Sequence, residues 1–64
     1  MAGASRLIVA TYTSGLYRCE VFDGAVAGIL VGRIFLRLDQ VGTVTGATSE
    51  EVRRKFVTEV EALG

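Results

Sequence analysis

The stretch Gly46–Leu63, GATSEEVRRKFVTEVEAL, decides the reading of this chain. Thr48 stands three positions before Glu51, the spacing of a capping box. In that arrangement the Thr hydroxyl accepts from a free N–H of the first turn, and the Glu carboxylate accepts from the cap residue's own N–H. Behind this start, Val52, Phe56, Val60 and Leu63 recur at spacings of four, four and three. At about 100° per residue they fall within one arc of about 80°. The spacing predicts one amphipathic helix, entered from a strand, whose narrow apolar stripe is its core side. A stripe that narrow fits a helix laid on a sheet.

Upstream, the chain reads as strands. Leu7–Thr13 is rich in β-branched and aromatic residues and ends at the turn signal Ser14-Gly15. Leu16–Phe22 follows, with Tyr17, Cys19 and Val21 on one face and Leu16, Arg18, Glu20 and Phe22 on the other. The residues allow either a hairpin or one strand kinked at Gly15. Asp23-Gly24 is a strong turn pair, and the turn can slide toward Gly28. Gly28–Leu36 places apolar residues on both faces apart from Arg33, whereas a strand wet on one side would alternate. One face is expected to take the helix and the other a second subunit. Val41–Thr45 is the expected last strand, after a connection at Leu38-Asp39-Gln40. The fold class is therefore α+β: a three- or four-stranded antiparallel sheet with one C-terminal helix packed on one face. With no repeat and no linker, residues 1–64 form one domain.

Composition limits what such a domain can do. A chain of 64 residues buries only about 60% of the surface its unfolded form exposes. Small domains are stabilised by disulfides, a metal or self-association. One Cys and no His leave self-association. Half of the residues are hydrophobic and the mean hydropathy is +0.44, more apolar surface than one small core hides. A homodimer or higher assembly is expected. Seven basic and seven acidic residues cancel, so no overall field draws the chain to nucleic acid or anionic lipid. Leu7–Ala10 is too short for the apolar part of a secretory signal. The longest uncharged apolar run, the nine residues Gly24–Gly32, is far below the roughly 20 that cross a bilayer. The expected location is the cytoplasm, with Cys19 reduced.

The chemistry-bearing motifs are sparse. Gly24, Gly28 and Gly32 are four apart and read as turn and bulge positions. No glycine pattern for phosphate binding is present. Cys19 has no His to act as its base and reads as a small buried residue. Glu20, Asp23 and Asp39 are the acids outside the helix, thin material for a metal-dependent hydrolase. Neither an enzyme nor a cofactor is expected. On the helix, Glu50 and Glu51 precede Arg54 and Lys55 by four, in the favourable order. Glu59 and Glu61 instead stand at the negative end of the helix dipole, where acids are unfavourable. They are the candidate contact for a basic partner, weighed against a simple solvated face.

Taken in order, these features resemble the HicB-family antitoxins over about residues 15–63. The features are the strand Tyr17 to Asp23 running into an acidic turn, the step Gly32-Arg33-Ile34, and Gly46, Thr48, Glu50, Glu51, Val52 and Phe56 at the helix start. The resemblance implies a catalytically silent partial relative of the RNase H fold. It also implies a protein that binds and blocks a small basic mRNA-cleaving toxin, as a dimer or higher assembly. Many family members continue into a C-terminal DNA-binding module, and the expectation for residues 1–64 is a domain without one. The alternative is an orphan protein of the same fold, serving as an oligomeric scaffold or small-ligand binder without catalysis. A third reading, RNA binding by the sheet through Tyr12, Tyr17 and Phe22, requires exposed rings beside basic residues, for which Arg6 and Arg18 are the candidates.

Overall fold

Ser14 pairs with Tyr17 across Gly15 and Leu16, so the first two strands form a hairpin rather than one kinked strand. In the computed structural model, which describes residues 8–24 and 26–63, Gly15 has φ +60° and Leu16 stays outside the left-handed region. A positive φ at the first central residue alone marks a type II′ turn, which asks for glycine there and matches the twist of the flanking strands. Leu16, expected as a strand residue, is the second turn residue and stands 74% exposed.

The strands are β1 (Ile8–Ser14), β2 (Tyr17–Asp23), β3 (Leu30–Leu36) and β4 (Asp39–Gly46), followed by the helix α1 (Ser49–Leu63). They form one sheet in the order β1-β2-β3-β4, antiparallel throughout. The fold is α+β, with the helix on one face of a four-stranded meander. Leu7, Arg6 and Gly64 lie outside the described residues.

Two connections differ from the sequence reading. The Asp23-Gly24 signal opens a longer loop, closed by the Gly24 N–H donating to the Ile29 carbonyl at 2.8 Å, with Gly28 at φ +83°. The last connection is shorter than expected: β4 begins at Asp39, so only Arg37 and Leu38 join it to β3. Arg37 there adopts φ +60°, a conformation that L residues with a Cβ adopt at a cost. The pairing register slips at Val9 in β1 and at Val41 in β4. These are the two edge strands, and such bulges discourage further strands from adding.

Period-two alternation sorts the side chains. Cys19 and Val21 of β2, Ile34 of β3 and Val44 of β4 face the helix and meet Val52 and Phe56, and these six are the buried apolar side chains among the described residues. Gly32 is neither a turn nor a bulge. It is a position where the helix packs directly on the strand, since a Cβ there would lie 2.6 Å from Val52 Cγ1.

At the helix start, the Thr48 hydroxyl accepts from the Glu51 N–H at 3.1 Å. The reciprocal bond departs from the expectation: the Glu51 carboxylate accepts from the N–H of Ala47, at 2.8 Å, and not from that of Thr48. Gly46 permits this, because a Cβ there would sit 3.1 Å from Glu51 Cβ and Cγ, closer than ordinary contact. Glu50 pairs with Arg53 at 2.7 Å, one position earlier than the expected Arg54, while Glu51 lies 3.7 Å from Lys55.

The expected core stripe shortens. Val52 and Phe56 are fully buried and Val60 is half-buried, but Leu63 is 49% exposed. Its angle on the helix is right, three turns on from Val52. The core does not extend to it, and Val57 packs against the core instead.

Candidate functional site

The described residues leave two broad surfaces uncovered, and both follow from which strand residues carry a large side chain. The first is a groove between α1 and β4. The helix-facing positions of β4 are Gly42, Val44 and Gly46, so the strand offers one apolar side chain to a helix that needs several. A Cβ built on Gly42 would touch only Ile34, at ordinary distance. Beside Val44 this edge therefore lacks the side-chain bulk that would fill the space under the helix. A cavity of about 470 Å³ opens there, lined by Val44, Glu51, Arg54, Lys55, Thr58, Glu59 and Ala62.

The charges in the groove are unevenly engaged. Lys55 Nζ donates to the Thr45 carbonyl at 2.7 Å and so occupies a main-chain group of the edge strand. The Ala47 N–H and then the Lys55 charge hold the Glu51 carboxyl below the usual carboxylate range. Glu59 lines the same groove with no cation within ion-pair distance among the described residues. It follows Val52 by seven positions, two turns, and so lies on the core side by angle, yet it is exposed. Glu61 is exposed as well and does not line the groove. The last turn of α1 has no basic residue. Glu59, Glu61 and the last carbonyls together make this end of the helix acidic.

The second surface is the sheet face opposite the helix. Three rows cross it in register: Thr11, Glu20, Arg33, Thr43; Thr13, Arg18, Phe35, Gln40; and Ile8, Phe22, Val31, Thr45. Arg18 donates from Nε to Glu20 Oε2 at 3.1 Å, and its guanidinium carbon lies 5.0 Å from the centre of the Phe35 ring. Arg33 lies over Phe22 at 5.4 Å. Sequence reading placed rings of the other face in this role. Tyr12 and Tyr17 pack against the core under the helix, and of the three expected rings only Phe22 is on the open side. Phe35 and Arg33 were missed because alternation in β3 alone shows no polarity. The signal is in the pairing, where Arg18 faces Phe35 and Glu20 faces Arg33.

Cys19 is buried between Gly32 and the helix, and loss of hydration followed by the charge of Glu20 raises its thiol pKa to about 11. At neutral pH it is a protonated packing group, not a nucleophile. No cluster of three or more metal-ligating side chains occurs among the described residues, and none of their helices is long and apolar enough to cross a membrane. Comparison with protein-family models, with curated proteins and with solved structures finds no match for this chain.

Proposed function

We propose that this chain is a non-catalytic protein-binding module of the HicB-like antitoxin type, which captures a small basic mRNA-cleaving protein at the groove between α1 and β4. The supporting observation is the acidic C-terminal end of α1: its last turn carries no basic residue, and Glu59, although Arg54 and Lys55 line the same groove, has no ion-pair partner among the described residues. Acids there oppose the helix dipole, so the placement costs local stability and is explained by a cation that arrives with the partner. Glu59 contacts that cation and Glu61 steers its approach from outside the groove. The bulges in both edge strands disfavour strand addition and so support docking on side chains. Inhibition is steric: the module covers the RNA-binding face of the partner and performs no chemistry of its own. The test is RNA cleavage by the product of the adjoining reading frame, predicted to be a short basic protein, with and without this chain. Cleavage that continues undiminished at excess chain would eliminate the proposal.

A second reading, an orphan domain that binds a small ligand, draws on the volume of the groove, which is within the range of small-molecule sites. It predicts that no short basic protein is encoded beside this one, and that a soluble metabolite, not a protein, raises the melting temperature.

A further inference from the structure

The open face of the sheet has a property that the groove reading does not use: its rows are complementary to their own reversal. A two-fold axis lying in the plane of contact, running along the strands midway between β2 and β3, would lay β2 of one copy over β3 of another and β1 over β4. The first row then sets each Glu20 over Arg33 of the second copy, with Thr11 over Thr43. The second row sets Arg18 over Phe35, and the third sets Phe22 over Val31. Every central contact is opposite in charge, cation on ring, or apolar on apolar.

We propose that this face is the dimer interface of the protein, occupied by a second copy of the same chain in that register. Three observations select this occupant. Arg33 has no carboxylate partner among the described residues, although Glu20 sits directly opposite it in the sheet, because the Glu20 carboxylate is turned to Arg18. In the dimer that carboxylate also accepts from Arg33 of the second copy. The face is broad: four strands about 4.8 Å apart and seven residues long, at about 3.3 Å each, span roughly 19 by 23 Å. That is about 440 Å² in flat projection, and more once side-chain relief is counted; a standard stable interface takes about 800 Å² per partner, about a fifth of the 4266 Å² that the chain exposes, so the dimer uses the whole face and is expected at the weak end of stable interfaces. The bulges at Val9 and Val41 blunt both sheet edges, which leaves the face rather than the edge for association. The strand directions of the two sheets coincide about this axis, the aligned arrangement in which sheets stack.

Charge reversal tests the register. Glu20→Arg and Arg33→Glu each place like charges across the axis, and each should weaken the dimer roughly tenfold or more in sedimentation equilibrium. An equimolar mixture of the two variants should recover a heterodimer of wild-type affinity, because each new charge then meets its opposite on the other chain. Pairing within either chain stays broken, so recovery reports contact between chains. A fold-neutral measurement stands beside it: Thr11→Cys mixed with Thr43→Cys should be joined by a short bismaleimide, while Thr11→Cys alone should not, since its two copies lie about three strand spacings apart, roughly 14 Å. A wild-type chain that stays monomeric at several hundred micromolar overturns the proposal. So does a mixture that fails to recover while both variants keep the wild-type circular dichroism spectrum, or a wild-type monomer whose face binds single-stranded RNA instead.

Discussion

Gly32 and Val52 are in such close contact that a single added carbon would not fit: a Cβ on Gly32 would lie 2.6 Å from Val52 Cγ1 and 2.8 Å from Cys19 Sγ. The helix sits where it does because the middle of β3 has no side chain on that face. Gly32→Ala should therefore destabilise the fold by about 1–3 kcal/mol, the usual cost of overpacking a dense core. Thermal melting of the variant checks this, and an unchanged midpoint would mean that the helix lies farther from the sheet than described.

Arg37 gives the opposite sign. Its φ of +60° is strained for a residue with a Cβ. Arg37→Gly should be neutral or stabilising by up to about 1 kcal/mol, despite the greater freedom of the unfolded chain, whereas a β-branched residue at this position should lower stability. Urea midpoints of Arg37→Gly and Arg37→Val order the two, and a less stable Gly variant would contradict the assigned turn.

Phe56 is the largest fully buried side chain. Truncating a buried Phe to Ala costs about 3–5 kcal/mol, which approaches the whole stability of a small domain. Phe56→Ala is expected not to fold, as read from its far-ultraviolet circular dichroism. Leu63→Ala, at the exposed end of the same stripe, should change the melt little.

The cap predicts both a mutational and a pH effect. Thr48→Ala removes the acceptor for the Glu51 N–H and should cost about 1 kcal/mol. The Glu51 carboxyl is held below its ordinary value, first by the Ala47 N–H and then by Lys55. A depressed carboxylate stabilises the folded state above its unfolded pKa, and that contribution disappears as pH falls through the folded one. Stability should therefore decline below about pH 4.5, and Glu51→Gln should flatten the decline. The same slope in wild type and variant would remove Glu51 from the cap.

The helix was legible because its cap and stripe are local: Thr48, Glu51, Val52 and Phe56 state their roles at fixed spacings. The strands were legible as apolar runs, but their ends were not. The turn at Arg37-Leu38 is made by two residues that normally avoid turns, so the last strand was read as starting two residues late. Leu63 looked like core because angle is written in the sequence and the bulk of the facing strand is not. The groove and the open face were the least visible, since one depends on missing side chains in β4 and the other on the register that sets Arg18 against Phe35.

The most direct test of the proposed role is a calorimetric titration of the wild-type chain and of Glu59→Lys against the product of the adjoining reading frame, which the account predicts to be a small basic protein, with RNA cleavage followed in parallel. The account predicts saturable binding and loss of cleavage for the wild type, with affinity about tenfold weaker for Glu59→Lys, the size of one close charge pair. Equal affinity for the two chains, or full cleavage at saturation, would contradict it.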